Sequence, residues 1–273
     1  MSDWHFGLEI KRRPVNLPRA ALCFAREIAY PNLDITAYLE RLAALASDAR
    51  PGVIAHTTPA GQAQALAHFL FRDGPLRGNL MGYADPRNSY LNQVLDRGMG
   101  IPISLCVIYL AVAAHLNLPA HGVNLPGHFI VGLDSGDGML YLDPFHGGQQ
   151  LTLTDCARLV RQTTGYRGPL QPEWLTPAGA PTILNRMLNN LRLIYSQQQN
   201  WPYTLAVLER LRQLDPGHPG HLRDLGLVHY QLGHLYPSAQ YLDAYAQHNP
   251  DAPDLAQIRQ QLAPVLARWA QQN

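Results

Sequence analysis

Charge is scarce in this chain of 273 residues: only 15% are charged, and 21 Lys+Arg against 20 Asp+Glu leave a formal net charge of +1. That balance provides no global field to draw in nucleic acid or an anionic membrane surface. Cysteine is scarcer still. Cys23, Cys106 and Cys156 are odd in number and irregularly spaced, which argues against a disulfide framework and a paired-thiolate zinc motif and points to the reducing cytoplasm. Long apolar runs are lacking as well. The most apolar stretch, Ile103 to Ala120, contains His115 and Asn117 and ends at Leu118-Pro119, so it is too short and polar to span a bilayer, which takes ~20 residues. It reads as a buried helix. The opening MSDWHFGLEIKRRP has no apolar run behind a basic stretch, so no secretory signal is expected. What the chain has in quantity, 47% hydrophobic residues, is enough for a compact core in one large or two modest domains.

The opening third reads as helices. Between Leu17 and Arg72 apolar residues recur at helical spacing, as in Tyr38, Leu39, Leu42, Leu45 and Ala46, with Asp34 and Thr58 placed as N-terminal caps. Gly74 to Arg87 is loop-like, Ser89 to Asp96 a short helix, and Gly98-Met-Gly-Ile-Pro102 breaks the chain before a helix that Ser104 is placed to cap. The pattern then changes to short strands at Gly122–Leu125, His128–Leu133 and Met139–Leu142, a small antiparallel sheet. A helix at Asp155–Gln162 is followed by a Gly/Pro-rich stretch. These features place a first domain over 1–165, an interdomain linker over 166–181 and a second domain over 182–273.

The second domain repeats. A shift of 34 residues superimposes Leu191 on Leu225, Leu193 on Leu227, Ile194 on Val228, Leu208 on Leu242, Leu211 on Tyr245 and Pro216 on Pro250, the tetratricopeptide period of paired antiparallel helices. Gly226 supplies the small residue that close helix packing wants, where the first unit has Arg192. A last helix, about Asp254 to Trp269, is expected to cap the stack. Tyr195, His229, Tyr230 and Arg192 are the residues expected on a partner-binding surface. The repeats are equally expected to do no more than complete the first domain's core.

Three side chains carry candidate chemistry. Cys106 falls near the expected start of the apolar helix, where free amides and the helix dipole favour a thiolate; buried cysteine packing is the plainer reading. His128 follows the Pro126-Gly127 turn and opens a strand, where an imidazole can exchange a proton with a thiol. Asp143 ends the next strand before Pro144, and adjacent strands ~4.8 Å apart bring its carboxylate within reach of that imidazole. Nucleophile, base and orienting carboxylate are the parts of a cysteine acyl-transfer site. Ser104 competes for the nucleophile's place, but residues two apart point ~200° apart on a helix, and Cys106 is preferred because a thiolate is accessible at neutral pH. For an oxyanion, the Cys106 amide with a side-chain donor from Asn88, Asn92 or Gln93 is expected. His121, His128, Asp143 and His146 are residue types that can ligate a divalent metal, but no standard metal spacing occurs, so no metal and no cofactor are expected.

Asn88-Ser-Tyr-Leu91 with Val94-Leu95, Gly100-Ile-Pro-Ile-Ser-Leu105, Pro126-Gly-His-Phe129 and Asp143-Pro-Phe145 with Gly148 resemble the signature of the bacterial SirB family over nearly the whole chain. The resemblance implies an α+β fold: a papain/transglutaminase-like core, with a helical N-terminal part and a small antiparallel sheet, followed by an all-α tetratricopeptide-type domain. It implies a triad of Cys106, His128 and Asp143 for acyl transfer or amide hydrolysis on a protein or peptide. The alternative is a catalytically inactive transglutaminase-fold module for protein interaction or regulation.

Overall fold

The structure, a computed structural model, describes residues 4–254 and, beyond them, residues 256–258, 260, 263, 264 and 267. Four helices open the chain: α1 (Phe6–Glu9), α2 (Leu17–Ile28), α3 (Ile35–Ile54) and α4 (Pro59–Ala67), the last passing into a π-helical turn at His68–Arg72. Side chains start three of them. Asn16, Asp34 and Thr58 accept from the backbone N–H of Arg19, Ala37 and Gly61 at 3.0, 3.2 and 3.1 Å, satisfying amides that have no partner inside their helices. Strand β1 (Arg77–Gly78), helix α5 (Leu91–Arg97) and strand β2 (Met99–Gly100) follow, with β1 and β2 paired in parallel.

Helix α6 (Pro102–His115) is apolar all round and buried along most of its length, as a helix at the centre of a core must be. It packs on α2, α3, β3 (Ala120–Val123) and β4 (Ile130–Asp134). Its start differs from expectation. Ile101 is the N-cap and Pro102 the first helical residue, because a proline's fixed φ and missing N–H suit that position. Ser104 is therefore the third helical residue, and its Oγ reaches back to accept from the Ile101 N–H at 3.1 Å.

Strand β5 (Met139–Asp143), strand β6 (Gln149–Leu151), helix α7 (Leu153–Thr164) and strand β7 (Pro177–Ala178) complete an antiparallel sheet of order β6-β5-β4-β3-β7. The expected strand at Gly122–Leu125 thus begins and ends two residues earlier, and the one expected from His128 begins at Ile130. The segment 166–181, expected to be the interdomain linker, packs on the sheet. Leu170, Trp174 and Leu175 pack against a cluster that includes Val123, Ile130, Tyr141 and Val160, and Pro177–Ala178 adds an edge strand against Val123 and Gly122. Its Gly/Pro content concealed a few apolar residues sufficient to dock it, and an edge is where a sheet tolerates proline.

By contact density the chain divides into Met1–Met187 and Leu188–Asn273. The helices α8 (Ala180–Gln197), α9 (Trp201–Leu214), α10 (Pro219–Gln231) and α11 (Leu235–His248) carry the repeat. Both ends of α9 and α11 differ by the same 34 residues. Leu191 and Leu225, Ile194 and Val228, Leu208 and Leu242, and Leu211 and Tyr245 are all buried, whereas Leu193 is exposed, so its match to Leu227 is a coincidence of composition. Gly226 packs so closely that a Cβ there would lie 2.6 Å from Leu242 Cγ. The capping helix expected over 254–269 falls largely outside the described residues. Among the described residues, no helix is long and apolar enough to cross a membrane.

Candidate functional site

The site forms where the β3–β4 turn meets the end of β5. Gly127 adopts φ +72° and a Cβ there would strike Thr163, so the turn depends on glycine. The turn is closed by His128 N–H donating to Leu125 O at 3.2 Å, and His128 belongs to it and not to β4. The register sets Val131 against Leu142, which carries Asp143 to the same end of the sheet. His128 Nε2 lies 2.9 Å from Asp143 Oδ2, with both side chains buried.

A third side chain joins them. His146 Nδ1 lies 2.7 Å from the same Oδ2, while Asp143 Oδ1 accepts from the Phe145 N–H at 3.0 Å. Burial alone would raise the Asp143 pKa, but the hydrogen bonds and charges of His128 and His146 outweigh it and hold the carboxyl at about 2. The same hydrogen bond raises the pKa of His146 against the opposing effect of its partial burial. The two rings stack at 5.7 Å, and Phe145 stands edge-on to His128 at 6.1 Å and to Tyr83 at 6.1 Å. Ligating atoms of His128, Asp143 and His146 lie within 4.8 Å of one another, so these three could hold a cation; the two hydrogen bonds to Oδ2 already account for their approach. His121 lies elsewhere, against Gly132 on β4.

Both expected nucleophiles, Cys106 and Ser104, are buried. Cys106 is the fifth residue of α6, beyond the amides a helix start leaves free, and its amide is not an oxyanion donor. Its thiol is completely buried and donates to Phe129 O at 3.5 Å. Burial pushes its pKa well above the usual thiol range, and the Asp143 carboxylate adds to the rise, the reverse of the expected activation. Ser104 is also buried, its Oγ donating to Asn88 O at 2.7 Å.

The expected oxyanion donors are placed differently as well. Asn88 spends its side chain on the loop before α5: Nδ2 donates to Gly82 O at 2.7 Å, and Oδ1 accepts from Asn79 Nδ2 at 3.1 Å and Arg97 Nη1 at 3.3 Å. Asn92 is buried on α5 with Oδ1 unpartnered. Gln93 is half-buried and makes no side-chain hydrogen bond among the described residues. The loop that Asn88 holds exposes Leu80, Met81 and Tyr83.

Arg186 of α8 escaped the sequence reading, because nothing about an arginine in a helical run marks it. Its guanidinium lies over the Phe129 ring at 5.7 Å and donates through Nη1 to Leu125 O at 2.7 Å and to Asn124 Oδ1. Gly122 makes room for this packing, since a Cβ there would come within 2.7 Å of the Phe129 ring and 3.1 Å of Ile183.

A profile described as "Transglutaminase-like superfamily" matches residues 36–189, more than half of the chain. The chain belongs to that superfamily. A "Tetratricopeptide repeat" profile matches residues 191–263 of this transglutaminase-like protein. A "UPF0162 protein" of Xylella fastidiosa (strain 9a5c) is 36% identical over 259 residues, covering 94% of the chain and 92% of the relative. A "UPF0162 protein" of Vibrio cholerae is 28% identical over 226 residues, 81% of this chain and 82% of the relative. Human "F-box only protein 21" is 34% identical over 137 residues, 46% of this chain but 20% of that protein.

The repeats of the transglutaminase-like protein have a groove of their own, about 360 Å³, lined by Arg192, Trp201, Leu208, Asp224, Val228 and others. Of the four residues expected on a binding surface, Arg192 alone is in its lining, paired with Asp224 at 2.8 Å. Tyr195 is buried and stacks on Tyr203 at 4.9 Å, and His229 stacks on Tyr241 at 5.4 Å.

Proposed function

We propose that this chain is a protein- or peptide-binding module of the SirB type, with a transglutaminase fold in which Cys106 does not serve as a nucleophile. The observation that carries this reading is the complete burial of the Cys106 thiol, which donates to Phe129 O. Ser104, committed to Asn88 O, supports it. The tetratricopeptide repeats supply a second surface of a kind that takes protein partners. A cytoplasmic location belongs to the same proposal, supported by three buried cysteines without a disulfide.

The test is alkylation of the native protein by iodoacetamide near neutral pH, read by peptide mass. Cys106 is expected to react no faster than Cys23 and Cys156, whose thiols burial pushes up to about 12 and about 11. Selective, rapid labelling of Cys106 would overturn the reading. One observation favours the second reading, a Cys106–His128–Asp143 acyltransferase or amidase: the 2.9 Å hydrogen bond that orients His128. It requires that the labelled thiol be Cys106 and that Cys106→Ala abolish release of ammonia from a glutamine peptide.

A further inference from the structure

Arg186 carries more hydrogen-bonding capacity and more charge than its place in the fold uses. Both Nη1 hydrogens have acceptors, Leu125 O and Asn124 Oδ1, and these suffice to tie α8 to the β3–β4 turn. Among the described residues no Asp or Glu pairs with the guanidinium. The titratable groups that act on it are the Tyr83 phenol and the Cys106 thiol, both of which burial pushes toward their neutral forms, and its own partial burial lowers its pKa. Holding a guanidinium away from water without a counter-charge costs free energy. The side left over is the Nε–H/Nη2–H edge, two parallel donors at the spacing of the two oxygens of a carboxylate. With Phe129 covering one face of the group, a planar two-oxygen anion suits that edge better than a tetrahedral one.

We propose that the free edge of Arg186 is a carboxylate-binding subsite, which receives a carboxylate of a peptide ligand beside the His128 turn. This names the ligand chemistry of the binding module and rests on that reading of the core. The carboxylate has two sources, a peptide C-terminus or an acidic side chain, and the subsite recognises what they share.

Calorimetric titration of the full-length protein tests it with acetyl-Gly-Leu-Phe bearing a free C-terminus, the same peptide as its amide, and acetyl-Glu-Leu-Phe amide. At least one acid is expected to bind roughly tenfold tighter than the neutral amide, and which acid wins identifies the source. Arg186→Gln should abolish the preference, and Arg186→Lys, which keeps charge but not the paired donors, should restore only part of it. Equal binding of the three peptides, absence of binding by all three, or displacement by inorganic phosphate more readily than by acetate would each overturn the proposal. The acid-against-amide comparison uses the unaltered chain and so needs no variant to fold. Rapid alkylation of Cys106 would remove the binding-module reading on which the subsite rests, whereas a missing acid preference with a slow Cys106 removes the subsite and leaves that reading standing.

Discussion

Asp143 uses both oxygens inside the first unit, Oδ1 on Phe145 and Oδ2 on the two imidazoles. Its folded pKa of about 2 lies below an ordinary 3.8. Ionisation therefore stabilises the fold fully above the ordinary value, and that contribution, ~2 kcal/mol, is lost as pH falls through the folded value. Asp143→Asn should flatten the acid limb of urea midpoints measured against pH. His146 works in the opposite sense: its raised pKa gives stability present below the ordinary 6.5 and lost as pH rises through the folded value. His146→Gln should remove this smaller limb near neutrality while an acid limb persists. Asn88→Ala leaves partners of a buried amide unsatisfied, and should cost about 3 kcal/mol in denaturant titration. At this scale the sequence made His128 and Asp143 visible through the Pro-Gly and Asp-Pro turns beside them. It hid the state of Cys106, because starting α6 at Pro102 moves the thiol a turn deeper and only the packing of Phe129 shows what it meets.

Periodicity and caps located the elements well where the chain is amphipathic, as with the Asp34 and Thr58 starts, and uniform apolarity marked the central α6 without fixing where it begins. They did less well for two- and three-residue strands. Strands β6 and β7 carry too few residues for an alternation to register, and β7 starts with a proline that sequence reasoning assigns to a loop. In the repeats the 34-residue offset recovered the buried positions because both units fill the same helical face. The close approach at Gly226 yields a test at this scale. Gly226→Val forces a side chain into Leu242 and should lower stability by about 1–3 kcal/mol, read in a thermal or urea melt of the full chain.

For the molecule as a whole, near-cancelling charge has a measurable consequence. With a net charge of +1, the protein is expected to leave heparin at or below physiological salt; retention into high salt would reveal a basic patch. The two profile matches, over 36–189 and 191–263, meet at nearly the division between the compact units, not in the Gly/Pro-rich segment before α8. Composition marks where a chain turns often, while contacts decide what it belongs to. Segment 166–181 turns often and still closes one side of the sheet. That closure limits how the core can recruit an extended chain: Pro177 has no N–H to offer on β7, and β6 at the far side is only three residues long. A sixth strand has little to zip onto, so recognition by the core falls to side chains and turns and not to borrowed backbone.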